Sequence, residues 1–103
     1  NPSFQIKRLT GYTEWRTGSA NLSFYGTNDI SNLNGNAGGS DAGSMTTTGL
    51  TALKTNQNIM SQSWDTGYFT NNTFYRYYVI RVVVGGGSYD WGIQRMAYYG
   101  DYY

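Results

Sequence analysis

Cysteine and histidine are both missing from this 103-residue chain, and proline occurs once. Without cysteine no disulfide framework can form, so a small core must be held by packing and hydrogen bonds alone. The two absences together remove thiol nucleophiles, the Ser-His and Cys-His catalytic pairs, and the usual zinc ligands. Charge is scarce as well: seven basic and six acidic residues leave a net charge of +1. The basic residues are scattered, which leaves no electrostatic footprint for nucleic acid. No apolar run reaches the ~20 residues of a membrane-spanning helix, so membrane insertion is not expected. Ala, Glu and Lys are too few for long amphipathic helices. The chain begins at Asn1-Pro2 rather than Met and reads as a processed product or a segment of something longer.

Aromatic residues are abundant by contrast: eleven Tyr, three Trp and four Phe, in a background of Thr, Asn, Ser and 14 Gly. That mixture predicts a single all-β domain over residues 1–103, with aromatic residues in the core and on the surface. The stretch Thr73–Val84 is apolar or aromatic on both faces, because neither of its alternate sets of side chains is polar throughout. It is expected to run through the middle of a packed β structure, spanning about 33 Å over ten residues. A glycine-rich break at Gly85–Ser88 separates it from a second run at Trp91–Tyr99. The short connection predicts that residues 74–84 and 92–100 are antiparallel neighbours. Phe4–Tyr12 reads as a first strand, Thr13–Ser19 as a turn and Asn21–Gly26 as a short strand with Leu22 and Phe24 on one face. Further strands are expected at Gly49–Lys54 and just before Trp64. Residues 31–49 have no periodicity, and fifteen of the nineteen are Ser, Thr, Asn, Asp or Gly. They are expected to form a long polar loop outside the core.

Catalysis is poorly supplied. The carboxylates Glu14, Asp29, Asp41, Asp65, Asp90 and Asp101 show no spacing that suggests a facing glycosidase pair. Gly85-Gly86-Gly87 lacks the following helix that a phosphate site requires. Asp29, Asn32, Asn34, Asn36 and Asp41 carry oxygens that Ca²⁺ accepts, but two carboxylates without a following Glu pattern read as a solvated loop. No metal, no cofactor and no enzymatic activity are expected.

Binding suits the residues better. A sugar offers apolar C–H faces and hydroxyl edges, which an aromatic platform with a few polar side chains can recognise. Tyr89, Asp90 and Trp91, with Arg95 nearby, supply that mixture. The competing reading makes Trp91 a core aromatic and Asp90 a turn former. Trp64 and Tyr68 are expected in the core or at the end of the sandwich that carries the termini, and Tyr12 with Trp15 either in a second platform or in a packed hairpin. Arg76 and Arg81 are expected to pair with carboxylates or carbonyls, since a lone buried charge is costly.

Three segments resemble a known family. Tyr25-Gly26-Thr27-Asn28-Asp29 is similar to a turn of discoidin-like domains, the coagulation-factor C-type or galactose-binding-like modules. Phe74–Val82, with Arg76, Tyr77 and Arg81, resembles the family's aromatic strand, and Ile93–Gly100 resembles its last one. Trp64 and Phe69-Thr-Asn71 fall where the family often has a tryptophan and its following segment. The resemblance implies an antiparallel β-sandwich of jelly-roll type, short on its N-terminal side, with ligand loops at the end where Tyr89–Trp91 would lie. Arg95 stands where the family usually has Glu, and the family's calcium-binding loop has no counterpart here. The resemblance implies a non-catalytic recognition module for cell-surface carbohydrate, displayed on a virion or an extracellular appendage. The alternative is a structural decoration or fibre subunit of a phage virion or surface filament, held by contacts with neighbouring subunits, for which the tyrosine excess argues.

Overall fold

The computed structural model describes residues 3–14, 19–36, 47–60, 62–85 and 92–102. It contains six strands: β1 (Phe4–Glu14), β2 (Ser19–Thr27), β3 (Thr51–Asn58), β4 (Ser63–Asp65), β5 (Tyr77–Gly85) and β6 (Gly92–Tyr102). Among the described residues one 3-10 turn, Ile30–Asn36, interrupts the β structure. The strands form two three-stranded antiparallel sheets, ordered β4-β1-β6 and β3-β2-β5. The chain is thus an all-β sandwich. Among the described residues no helix is long and apolar enough to cross a membrane.

Alternation on the central strands builds the core. Ala20, Leu22 and Phe24 of β2 are buried and face Leu9 of β1 and Trp64 of β4 across the sandwich, with Ile59 beside them. Phe24 stacks flat on Tyr78 at 5.0 Å between ring centroids and meets Phe69 at 6.0 Å. Complete burial of a side chain such as Leu9 or Leu22 contributes about 1.5–3 kcal/mol. The Trp64 indole N–H is satisfied inside, donating to the buried Thr13 hydroxyl at 2.8 Å.

A bulge in β1 between Ile6 and Arg8 leaves backbone groups without ladder partners. Side chains satisfy them. Ile6 N–H donates to the Tyr78 hydroxyl at 3.2 Å, and Asn71 Nδ2 donates to Ile6 O at 3.0 Å. The Tyr78 hydroxyl itself donates to Phe4 O, so one β5 side chain ties the two sheets together.

Several expectations are corrected. Residues 74–84 and 92–100 are not neighbours: β5 pairs with β2, and β6 with β1. A connection between sheets is as feasible here as a hairpin. The apolar face of β5 (Tyr78, Ile80, Val82) matches Gly26, Phe24 and Leu22 in register, and burial decided the pairing. Nor does β5 run through the centre of its sheet; among the described residues it is an edge. Arg76 is exposed, and among the described residues no carboxylate pairs with it. Arg81 Nε is buried without a hydrogen-bond partner. Tyr68 is 73% exposed, not in the core, whereas Trp64 is only 4% exposed. Strand β1 continues to Glu14, beyond the turn expected from residue 13, and β3 extends to Asn58. Within 31–49, residues 31–36 belong to the 3-10 turn, and 37–46 lie outside the described residues.

The Asn28-Asp29 turn has a clear local logic. Asp29 accepts hydrogen bonds from the Ser31 amide (2.9 Å) and hydroxyl (2.7 Å), which holds its carboxyl below the ordinary value. The Asn28 side chain donates to Phe74 O at 3.3 Å and accepts from Arg76 N–H at 2.8 Å, docking the approach to β5. Asn32 Nδ2 reaches both Thr27 Oγ1 (3.0 Å) and Gly49 O (3.2 Å), bringing together the two ends of the long polar segment.

Candidate functional site

Leu9, Gly11 and Thr13 of β1 face the core, so Arg8, Thr10 and Tyr12 must face out. Register then assembles the outer surface of this sheet. Arg8 lies opposite Tyr99, Thr10 between Asp65 and Ala97, and Tyr12 between Ser63 and Arg95. The small residues Thr10 and Ala97 leave an open groove of about 880 Å³ along the middle strand. Its floor depends on Gly11: a Cβ there would come within 2.6 Å of Trp64 Cε2, so only glycine lets the indole pass beneath.

An aromatic–arginine contact stands at each end. At one, the Arg95 guanidinium lies 5.3 Å from the Tyr12 ring centroid. At the other, Arg8 sits 4.8 Å from Tyr99 and 5.3 Å from Tyr68. Such contacts are worth about 0.5–1 kcal/mol each at exposed positions. Four residues of strand separate Arg8 from Tyr12, so the two ends are about 13 Å apart.

Asp65 lies at the groove wall. Arg8 grips it with two hydrogen bonds, one from Nε at 2.9 Å and one from a terminal guanidinium nitrogen. Gly67 N–H adds a third at 2.8 Å, made from a left-handed backbone (φ 67°) that glycine adopts without strain. The Arg8 hydrogen bond, then that of Gly67, holds the Asp65 carboxyl down at about 2. Arg8 is raised in turn, first by Asp65 and then by Tyr68. The pair is rigid because the arginine fork matches the carboxylate.

Arg95 is the one residue of the sequence-derived site among those described, and it occupies this groove. Tyr89, Asp90 and Trp91 lie outside the described residues, as does Trp15. In the chain, Trp91 directly precedes Gly92, which pairs with Glu14 two residues beyond Tyr12. Sequence reading missed Ser63 and Asp65 as groove residues, and Arg8, Tyr68 and Tyr99 as the contact beside them. A signal was present in β1, where polar or aromatic side chains at 8, 10 and 12 alternate with Leu9, Gly11 and Thr13. No local pattern linked it to Asp65 or Tyr99, which lie more than fifty residues away. Among the described residues no three His, Cys, Asp or Glu side chains gather in a way that would hold a metal ion.

Compared with protein-family models, with curated proteins and with solved structures, the chain matches none.

Proposed function

We propose that this chain is a non-catalytic, discoidin-like recognition module of jelly-roll type that binds carbohydrate and is displayed on a virion or an extracellular appendage. The observation that carries the reading is the outer groove of β4-β1-β6, a shallow trough with an aromatic ring, arginines and a fixed carboxylate around a floor of small residues. A sugar ring would lay its C–H face on Tyr12 while Asp65 and Arg95 hold hydroxyls and Thr10 and Ser63 offer weaker partners. Tyr89, Asp90 and Trp91 are proposed to extend the same platform from the segment that leads into β6.

The electrostatics favour binding over hydrolysis. A glycosidase acid needs a carboxyl whose pKa is raised. Asp65 is instead held at about 2 and Asp29 is also lowered, which suits permanent acceptors of hydroxyl hydrogens. Because Arg8 neutralises Asp65, the groove can take an uncharged glycan without leaving an isolated charge beneath it.

Glycan-array binding of the wild-type chain, repeated with Arg95→Ala, Tyr12→Ala and Trp91→Ala, tests this. Arg95→Ala should weaken binding by about tenfold or more through loss of a charged hydrogen-bond donor. Its melting temperature should barely change, since the side chain is exposed. If no glycan is retained, or Arg95→Ala and Tyr12→Ala both bind like the wild type, the reading fails. The structural-subunit reading rests on a different observation, the exposed aromatics Phe4 and Tyr98 beside the cleft between β5 and β6.

A further inference from the structure

We infer that the free edge of β5, together with the cleft it shares with β6, is a self-association face that joins two copies of this chain about a twofold axis.

The four sheet edges differ in how they are protected. Edge strands are normally guarded by charge, bulges, proline or shortness, because their unpaired backbone groups otherwise recruit another strand. β4 is three residues long. β3 is polar from Lys54 to Asn58, is irregular against β2 at two places, and carries Asn56 in the left-handed region at φ 55°. β6 has charged residues at Arg95 and Asp101. β5 has none of these defences except Arg81: Tyr77–Val84 is otherwise apolar or aromatic, with no proline and no bulge against β2. Its composition is that of a strand covered on both faces, and among the described residues it has one lateral neighbour, which leaves its outer row of backbone groups unguarded.

Beside this edge the sandwich is open. Between β5 and β6 lies a cleft of about 450 Å³, lined by Phe24, Ile80 and Ile6 from the core and by Phe4 and Tyr98 at its walls. Phe4 is 42% and Tyr98 53% exposed, high values for large apolar rings that adjoin the core. Tyrosine and phenylalanine in such a position match the composition of protein interfaces.

Charge identifies the occupant. Arg76 and Asp101 both line the cleft and both are exposed, yet they do not pair with each other, and among the described residues neither has an opposite charge as partner. A patch that carries one cation and one anion apart is complementary to itself when turned through 180°. Arg76 of each copy then meets Asp101 of the other, twice per dimer, which is the signature of an isologous contact. The nine residues of β5 give a face about 30 Å long and two sheets deep, roughly 600 Å² per copy, at the lower bound for a specific dimer.

Light scattering on the size-fractionated full chain at concentrations up to roughly 100 µM is the test. The expected mass is that of two chains. Arg76→Asp and Asp101→Arg should each weaken dimerisation about tenfold or more, and the double reversal should restore it. Circular dichroism checks that each variant is folded, and Val83→Lys, on the exposed outer face of the same edge, must also give a monomer if a reversal variant fails to fold. A wild-type mass of one chain throughout overturns the inference, as does a mass above two chains. So does a dimer that ignores both reversals, or a double reversal that fails to recover it. Glycan binding through the outer groove is independent of all these outcomes.

Discussion

β2 and β5 lie side by side in one sheet, and their compositions are the reverse of their positions. The central strand β2 alternates Asn21 and Ser23 with Ala20, Leu22 and Phe24, as though one face were wet. The edge strand β5 is apolar at nearly every position. Hydrophobicity on both faces reports what lies above and below a strand, whereas centrality depends on what lies beside it. These are separate variables. In β2 the inner face carries the core and the neighbours on both sides satisfy the backbone. In β5 the inner face (Tyr78, Ile80, Val82) is only half-buried because the neighbouring cleft is open.

The contrast can be broken most sharply by removing side chains from each strand in turn. Phe24→Ala on β2 should cost about 3–5 kcal/mol, since the ring is fully buried and stacked on Tyr78. Val83→Ala on β5 should cost under about 1 kcal/mol in the monomer, because that side chain is exposed. Urea unfolding of both variants compares them directly; equal losses would mean that the edge is as packed as the centre.

The central strand of the other sheet allows a second comparison. Gly11→Ala should destabilise by about 1–3 kcal/mol, because the new methyl would drive into the Trp64 indole and the backbone carbonyl of Arg95. A melting temperature equal to that of the wild type would show that Trp64 can move aside. A smaller effect is expected where the chain leaves β2. Asn32→Ala removes both hydrogen bonds that tie Thr27 to Gly49, and should cost about 1 kcal/mol. Shortening the polar segment that they close should add little, as closure entropy depends weakly on length.

The smallest effect belongs to β4, an edge held by charge. The folded Asp65 carboxyl is lowered from the ordinary 3.8 to about 2, chiefly by Arg8. A lowered folded pKa means that the unfolded chain binds the proton first. The stabilisation is therefore complete above the ordinary carboxylate value and is lost as the pH falls through about 2. Thermal melts of wild type and Asp65→Asn should differ slightly above about pH 4 and converge by about pH 2. A gap that persists in acid would assign the loss to something other than ionisation.

How much was legible in advance varied with the range of the interaction. The pattern of residues 21–26 announced β2 and the buried face that carries Leu22 and Phe24. Trp64 read as a core residue and is one. Tyr68, only four positions away and just past the left-handed Gly67, is exposed instead. Arg95 was picked as a binding residue on its chemistry. Its neighbours in the groove, Tyr12, Ser63 and Asp65, come from two other strands and have no local signature.

The amino-acid sequence by itself determined the all-β class, the positions of most strands and the absence of the familiar catalytic and zinc-binding groups, because residue type and alternation act over a few residues. Which strands pair, which edge is left bare and which polar side chains share a surface were decided only by tertiary structure. Those outcomes depend on burying Leu9, Leu22, Phe24 and Trp64 against one another, a choice among segments up to 55 residues apart that no local pattern encodes.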